Sequence, residues 1–326
     1  MALTPDDSKH ALQIQAGILG RNAGHKFEDT IAAEINEFVF PLSISNIGSQ
    51  NVFSGDPAAL LMNYICQNRG IKTIKRATAI ATGALATSEE GKKWLNVHGV
   101  AVSRCKSDIV ITITDMNENS YTVGVSTKQC NNKTPTNAQL YFTTAHGFSN
   151  LLRTNHINVS ERAEIALRQF CGDLGFQPLD SQVSLKGRVI DIRRFFWEEI
   201  CEEGRNEWEK LFTTFQDEIS RLLFQKAYLN DPFVPDFLLH KTKQSLSWKE
   251  TEVAIYSIDE IIAKSRAYQG FATKEYSVHK GSYPDPTGIA HRAPRFGIIQ
   301  MQRGGQKQHP DQLQFNLEAG YFYKIK

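Results

Sequence analysis

The chain has 326 residues, of which 41% are hydrophobic and 22% are charged, a composition typical of a folded globular protein that buries a substantial core. It contains no apolar run of about eighteen residues that would predict a membrane span, and its N-terminal MALTPDDSKH lacks the apolar core of a signal peptide. We therefore expect a soluble, unexported protein with no membrane partner. Five cysteines without a CxxC pair argue against a disulfide framework and favour a reducing cytoplasm.

The charges are distributed unevenly along the chain. The net charge is only +2, but residues 261–326 contain 10 Lys/Arg and 4 Asp/Glu, while residues 195–260 contain 7 Lys/Arg and 14 Asp/Glu. A basic segment of this kind is expected where a protein faces a polyanion. A solvated basic surface without a partner would have the same composition, so both interpretations stay open.

The first predicted element is a helix over residues 24–39. Phe27, Ile31, Ile35 and Phe38 recur at helical spacing and form one apolar stripe, and Pro41 ends the helix. The helix also carries several acids, among them Glu28. Residues 77–97 mix small and apolar side chains and are predicted to be a second helix.

A β-hairpin is predicted next. Residues 109–114 form a β-branched run, residues 115–120 (DMNENS) are turn formers, and residues 121–129 (YTVGVSTKQ) form the second strand. Further on, the apolar spacing predicts one long helix over 208–223, and residues 252–269 read as a strand followed by a helix that Ser257 and Glu260 cap. Two more strands are predicted at 296–302 and 313–325, with a Gly-containing loop between them. This order predicts an α/β or α+β fold around a mixed sheet flanked by helices.

The open end of the hairpin carries the most informative residues. With the turn centred between Asn117 and Glu118, Asp108 faces Thr127 and lies beside Ser126 and Lys128, and a one-residue shift of the turn leaves this cluster intact. Because side chains alternate along a strand, Ser126 and Lys128 share one face while Thr127 points to the other, core-facing side. A carboxylate that binds a divalent cation, next to an amine that orients water, is the minimum apparatus for metal-assisted phosphodiester hydrolysis.

These residues resemble the motif of the PD-(D/E)XK nuclease superfamily, above all of type II restriction endonucleases. The motif runs from an Asp at a strand start (Ser107-Asp108-Ile109-Val110) to an acidic-x-Lys triplet on the next strand (here Ser126-Thr127-Lys128), and the resemblance covers roughly residues 20–150. It implies a restriction-endonuclease-like core with C-terminal strand additions. It also implies that Asp108 is the principal metal ligand, that Lys128 is the catalytic lysine, and that Glu28 on the upstream helix faces the metal site.

The chain departs from this motif in two places. Pro does not precede Asp108, and Ser126 occupies the usually acidic position, where a hydroxyl cannot replace an anionic ligand. Some restriction enzymes that cut CCGG-containing sites have Ser-x-Lys and supply the missing carboxylate from a Glu further along the chain, but that position is Phe142 here. We therefore predict Glu28 as the replacement ligand, with Glu161 and Glu164 in reserve.

Two segments are rich in the side chains that contact phosphates and base edges. One is KGRVIDIRRFF, and the other is HRAPRFGIIQMQRGGQKQHPDQ. A surface turn with an internal ion pair would explain the first equally well, and a polar loop between core strands would explain the second. The candidate DNA-binding residues are Arg188, Arg193, Arg194, Arg292, Arg295, Gln302, Arg303, Gln306 and Lys307.

The leading hypothesis is a Mg²⁺-dependent, site-specific endonuclease acting on double-stranded DNA. Residues 1–180 would be the nuclease core, with the catalytic hairpin at 108–128, and residues 181–326 would contribute DNA recognition. The resemblance further implies a homodimer in the cytoplasm of a bacterium or archaeon. The alternatives are a structure-specific repair or mobile-element nuclease, a noncatalytic DNA-binding protein on the same fold, and an enzyme of unrelated chemistry. Motifs for nucleoside triphosphatases, dinucleotide enzymes, zinc proteases and serine hydrolases are missing from the sequence.

Overall fold

The structure is a computed structural model, and it describes residues 8–82, 96–97, 99–101, 105–178, 194–226, 231–268, 270–277, 290–303 and 312–325. The chain divides into two compact units, each made of two stretches. The first comprises Met1–Thr136 and Gln225–Ile261, and the second comprises Asn137–Phe224 and Ile262–Lys326. The predicted division at residue 180 separated a nuclease core from a region that contributes DNA recognition. This functional division stays a prediction. No helix in the described part of the chain is long and apolar enough to cross a membrane.

The first unit is built on a mixed sheet. Its strands are β1 (Leu42–Ser43), β2 (Val52–Gly55), β3 (Thr73–Ala81), β6 (Ile109–Asp115), β7 (Ser120–Gln129), β9 (Pro235–Lys241) and β10 (Thr251–Ser257). They lie in the order β1-β3-β6-β7-β9-β10-β2, and all neighbours are antiparallel except β7 and β9. A separate two-stranded ribbon joins β4 (Asn96–Val97) and β5 (Val100–Ala101). The helices of this unit are α1 (Ser8–Glu37) and α2 (Pro57–Arg69), and α7 (Ile258–Ser265) begins in it.

One face of this sheet forms the core with α1 and α2. The predicted stripe of Phe27, Ile31 and Ile35 on α1 is buried in the same cluster as Ile111 and Val123 of the hairpin. Each such side chain contributes about 1.5–3 kcal/mol by leaving water. The packing fixes α1 against the hairpin, so the acids on the core-facing side of α1 are carried into the protein.

The predicted hairpin is confirmed, but its predicted register is wrong by one residue. Ile113 pairs with Tyr121, and Ile109 pairs with Val125, so Asp108 lies opposite Ser126 and not Thr127. The cause is the turn: Glu118 adopts the left-handed conformation at φ 67, and the Asp115 carboxylate accepts hydrogen bonds from two backbone N–H groups of the turn. These features give a three-residue loop centred on Asn117, a common hairpin form with a left-handed residue.

The second unit contains an antiparallel sheet. Its strands are β8 (Ala138–Thr144), β11 (Phe271–Ser277), β12 (Ala290–Phe296), β13 (Ile299–Arg303) and β14 (Gln312–Leu317), and they lie in the order β11-β12-β13-β14-β8. Its helices are α3 (Ala145–Thr154), α4 (Glu161–Cys171), α5 (Glu202–Thr214), α6 (Gln216–Gln225), the end of α7 and α8 (Tyr321–Lys324). Short 3₁₀ turns lie at Trp197–Glu199 and Arg266–Tyr268 here, and at Trp248–Glu250 in the first unit. Stacked rings fill the core of the second unit, with the Phe212 and Phe296 centroids 4.4 Å apart.

Three element predictions are corrected. Residues 77–81 are not helical but belong to β3, where buried Ala77 and Ala79 alternate with exposed Thr78 in register with β6; residues 83–95 lie outside the described residues. The predicted helix over 208–223 is interrupted at Phe215, because Gln216 turns inward and its side chain donates to the Ser265 carbonyl. The predicted strand over 313–325 ends at Leu317, since Gly320 takes the left-handed conformation before α8.

The predicted fold class is confirmed. The first unit is a mixed seven-stranded sheet flanked by helices, in an α+β arrangement consistent with the restriction-endonuclease-like core that the resemblance implies. The Ser257 part of the predicted cap of α7 is also present, because the Ser257 hydroxyl accepts from the Glu260 N–H at 3.1 Å.

Candidate active site

Asp108 lies at the open end of the β6–β7 hairpin, and its backbone is held from both sides. Its N–H donates to the Val125 carbonyl at 2.8 Å, and its own carbonyl accepts from the Thr82 N–H at 2.8 Å. The two bonds continue the pairing of β6 with β7 and β3 by one residue. The carboxylate is therefore presented from a fixed backbone, with 27% of its side chain exposed to solvent.

A tightly packed crossing lies next to this position. The Ser107 hydroxyl donates to the Phe233 carbonyl at 2.7 Å and lies directly against Gly124 of β7. A Cβ at Gly124 would collide with that hydroxyl and with the Val234 carbonyl oxygen. Glycine is needed at position 124 because the segment before Asp108 passes over β7 with no room for a side chain.

The Asp108 carboxylate receives its hydrogen bonds on one oxygen. Oδ2 accepts from the Thr127 N–H at 2.6 Å and from the Ser126 hydroxyl at 3.2 Å, and the Lys128 ammonium lies 3.9 Å away. Among the described residues, none donates to Oδ1. One oxygen is therefore anchored to β7, while the other is available to a ligand.

Lys128 is held to the same strand. Its Nζ donates to the Ser126 hydroxyl at 3.2 Å and to the Thr127 carbonyl at 2.8 Å. An ammonium has three donors, and within the described part of the chain the third has no hydrogen-bond partner. Ser126 is 1% exposed and links the two charged groups, because its hydroxyl accepts from Lys128 and donates to Asp108.

A second carboxylate joins the cluster through Thr127. The Thr127 hydroxyl donates to Glu28 Oε1 at 2.9 Å, while its N–H holds Asp108. Glu28 comes from α1 and is 7% exposed. Its Oε2 is buried without a hydrogen-bond partner among the described residues.

Burial, and after it the neighbouring Asp108 carboxylate, raise the pKa of Glu28 from 4.5 to about 8 despite the lowering effects of the Thr127 hydroxyl and Lys128. Two carboxylates brought together in a poorly hydrated place repel each other, so one of them keeps its proton at neutral pH. A cation between them would remove this penalty.

The two carboxylates suit a hard divalent cation. Magnesium is typically bound through one or two carboxylates while it keeps several of its waters. Asp108 and Glu28 offer that pair, and each has one carboxylate oxygen without a hydrogen-bond donor among the described residues. Among the described residues, no cluster of three or more His, Cys, Asp or Glu side chains has the arrangement of a metal site, so a cage of protein ligands does not form in that part of the chain.

Two further basic residues lie near Lys128. Burial, and after it the charge of Lys128, lower the pKa of Lys106 to about 8. His240 is directly opposite Lys128 in the parallel β7–β9 pair and is 1% exposed. Burial and then Lys128 lower the pKa of His240 to about 3, so this imidazole is neutral at physiological pH.

The comparisons with known proteins find similarity to solved structures but not to known sequences. No family model matches the sequence, and no curated protein matches it. Among solved structures, the chain is similar to restriction endonuclease MspI in complex with its cognate DNA. The two share 12% sequence identity over 79% of this chain and 78% of that chain, with a TM-score of 0.45.

The structure brings together the four predicted site residues Asp108, Ser126, Lys128 and Glu28. Their roles in catalysis and metal binding remain predictions. The reserve acids Glu161 and Glu164 lie on α4 in the second unit, where Glu164 pairs with Arg153 and His146. Phe142, the position at which some restriction enzymes have their Glu, is exposed on β8 of the same unit.

The predicted DNA-binding residues are only partly described. Arg292 is exposed on β12, Arg295 and Gln302 are half-buried on β12 and β13, and Arg303 is 8% exposed. The guanidinium of Arg194 lies over the Phe196 ring. The DNA-binding role of every member of this set stays a prediction, and four members lie outside the described residues, namely Arg188, Arg193, Gln306 and Lys307.

Three residues at the site were not found from the sequence. Thr127 was assigned to the core side of β7, which is where it lies, but its hydroxyl and N–H also join the two carboxylates. Lys106 could have been noticed as a second lysine two positions before Asp108. The sequence near His240 does not indicate a place at the site, because its position beside Lys128 depends on a parallel pairing of strands that are distant in the chain.

Proposed function

We propose that the protein is a Mg²⁺-dependent endonuclease that hydrolyses phosphodiester bonds of double-stranded DNA at specific sites. One observation carries this proposal: the Asp108 carboxylate and the Lys128 ammonium lie 3.9 Å apart at a half-exposed strand end, next to a buried second carboxylate with an unpartnered oxygen. The resemblance to the PD-(D/E)XK motif gives the same assignment from the sequence.

The residues have separate roles in this proposal. Asp108 and Glu28 hold the cation, which when bound neutralises charge on the phosphate and lowers the pKa of water. Lys128 orients the attacking water and stabilises negative charge on the phosphoryl oxygens through its available donor. Ser126 fixes the distance between Lys128 and Asp108 and is a positioning residue, and Thr127 has the same role for Glu28.

The wider parts of the proposal come from the resemblance. Type II restriction enzymes form homodimers that match palindromic sites, and they work in the cytoplasm of bacteria and archaea, so we propose the same for this chain. A structure-specific nuclease would use the same residues and would differ only in the pattern of fragments.

A noncatalytic DNA-binding protein on this fold is the second candidate. It is favoured by one observation, the hydroxyl of Ser126 at the position where the motif usually has an acid. In that case Glu28 would be a buried carboxyl without a cation, and its proton would be permanent at neutral pH.

The test is cleavage of plasmid and phage DNA by the purified chain with Mg²⁺ or EDTA. We expect discrete fragments with Mg²⁺ and none with EDTA, and loss of cleavage in Lys128→Ala and in Asp108→Asn. Glu250→Gln, which changes an exposed glutamate of the same unit, is the control and should cleave like the parent.

The outcomes separate the candidates. Fragments without fixed ends favour a structure-specific nuclease over a site-specific one. DNA binding without scission across Mg²⁺ and Mn²⁺, unchanged in Asp108→Asn, favours the noncatalytic protein. Full cleavage by Lys128→Ala contradicts the role given to this lysine.

A further inference from the structure

A cluster of three cations surrounds one carboxylate in the second unit. The Glu318 carboxylate lies 3.3 Å from Lys324, 3.5 Å from Arg295 and 3.9 Å from Lys274. Lys274 lies on β11, Arg295 on β12 and Lys324 on α8, and Glu318 follows β14 directly. We call Lys274, Arg295 and Lys324 the cationic cluster.

The cluster is not neutralised by its acid. Among the described residues, Glu318 is the ion-pair partner that all three cations share, so two positive charges remain. The acid lies beneath, with 13% of its side chain exposed, whereas Lys274 is 72% exposed and Lys324 is 39% exposed. Positive charge therefore faces solvent while the compensating negative charge is covered.

An aromatic ring supports the cations. The guanidinium of Arg295 lies 4.9 Å from the Tyr268 ring centroid, and the ammonium of Lys324 lies 5.8 Å from the same centroid. Such contacts hold a cation in place without neutralising it. Among the described residues, the Arg295 guanidinium forms an ion pair with Glu318 at 3.5 Å and no hydrogen bond, and its planar donors suit an acceptor with two oxygens.

Amide side chains continue from Arg295 across the sheet. In the strand register, Arg295 pairs with Gln300, Gln300 with Asn316, and Asn316 with Gln139. We call these three amides the amide row. Asn316 is 4% exposed, but Gln300 is half-buried and Gln139 is exposed. The opposite face carries the buried side chains of Ile299, Phe315 and Leu317, so the amide row and Arg295 lie on the face turned away from that core.

We propose that the cationic cluster, together with Gln300 and Gln139, the two amides of the row that reach solvent, forms a contact surface for duplex DNA, with the three cations on its phosphates. This inference rests on the proposed function for its choice of ligand. The argument is charge complementarity: clustered Lys and Arg with uncompensated charge favour a polyanion, and Gln side chains bind both phosphate oxygens and base edges. Of these residues, only Arg295 belongs to the DNA-binding set predicted from the sequence, and Lys274 and Lys324 are new.

The test is the salt dependence of DNA binding by the full chain in EDTA, which prevents metal-dependent cleavage. Fluorescence anisotropy of a labelled random duplex is measured between about 50 and about 200 mM KCl, where the log of the binding constant falls linearly with log salt. Each lost phosphate contact reduces that slope by about 1. We expect Lys274→Gln and Lys324→Gln each to reduce the slope by about 1, and the double variant to bind several-fold more weakly near physiological salt.

The matched control is Lys210→Gln, an exposed lysine of the same unit on the acid-rich helix α5. It removes the same charge outside the cluster, and its slope should equal that of the parent. Thermal unfolding of each variant confirms that these surface changes leave the fold intact. If the cluster variants and the control share the slope of the parent, or if the parent binds polyglutamate but not DNA, the inference is overturned.

The two proposals fail separately. If the parent protein cleaves DNA with Mg²⁺ but the cluster variants have the same salt slope as the parent, the proposed DNA-contact surface is wrong and the proposed nuclease activity is not affected. If the parent protein never cleaves DNA but its DNA binding depends on Lys274 and Lys324, the proposed nuclease activity is wrong and the proposed DNA-contact surface is supported.

Discussion

Glu28→Gln should make the metal-free protein more stable at neutral and alkaline pH. The folded protein holds the Glu28 proton up to a pKa of about 8, while a glutamate in the unfolded chain loses it near 4.5. Between these values the folded state binds more protons than the unfolded state, so the free energy of unfolding of the parent falls as pH rises and levels off above about pH 8. Glutamine cannot ionise, and its amide oxygen can still accept from Thr127.

The magnitude follows from the two pKa values. A difference of this size corresponds to a ceiling of about 5 kcal/mol at pH 8 and above, and to about zero near pH 4.5. Relaxation and water entry reduce the ceiling, so we expect a stabilisation of a few kcal/mol at pH 8 that vanishes in acid. The difference between variant and parent should grow steadily over this window.

The assay is urea unfolding in EDTA at several pH values between about 4.5 and 8.5, followed by tryptophan fluorescence. Glu250→Gln controls for the loss of one carboxylate from the surface of the same unit. Parallel stability curves for Glu28→Gln and the parent would refute the reasoning, because they would mean that Glu28 is as well hydrated in the fold as in the unfolded chain. A variant that is less stable than the parent at pH 8 would contradict it more strongly.

Three further changes test the packing around the site and in the second unit. Gly124→Ala drives a methyl group into the Ser107 hydroxyl and should cost about 1–3 kcal/mol in urea unfolding; a change under about 0.5 kcal/mol would show that the crossing is loose. Thr127→Val removes the hydroxyl that donates to Glu28 and should cost about 1 kcal/mol and raise the pKa of Glu28 further, as followed by carboxyl NMR; Thr127→Ser should restore both. Trp208→Phe leaves a buried carbonyl without its 2.7 Å donor and should cost about 1–3 kcal/mol, which calorimetric melting would measure against Lys210→Gln, a change of an exposed residue on the same helix.

The hairpin could be predicted because its signals are local. The β-branched run of β6, the polar turn and the alternation of β7 all lie within a short stretch of chain, and side-chain period two places Ser126 and Lys128 on one face regardless of register. The register itself could not be predicted, because it depends on the left-handed conformation of Glu118 and on the hydrogen bonds of Asp115. The conclusion about the cluster survived the error, since the neighbour of Asp108 changed only from Thr127 to Ser126.

The elements that were predicted wrongly depend on distant partners. The alanines of β3 favour a helix by intrinsic propensity, but pairing with β6 imposes a strand. Gln216 breaks the predicted helix because its amide finds a carbonyl at Ser265, far along the chain. The surroundings of Lys128 also depend on a distant segment. His240 lies beside Lys128 through the parallel β7–β9 pair, and no local sequence pattern predicts that pairing.

The central claim is that Asp108 and Glu28 together hold a divalent cation beside Lys128. Its most direct test is calorimetric titration of the metal-free protein with Mn²⁺ at pH 7, in two buffers of different ionisation enthalpy. We predict one ion per chain, with release of close to one proton as Glu28 ionises, loss of binding in Asp108→Asn, and binding without proton release, at lower affinity, in Glu28→Gln. Binding that is unchanged in Asp108→Asn, or that releases no proton from the parent protein at pH 7, would contradict the claim.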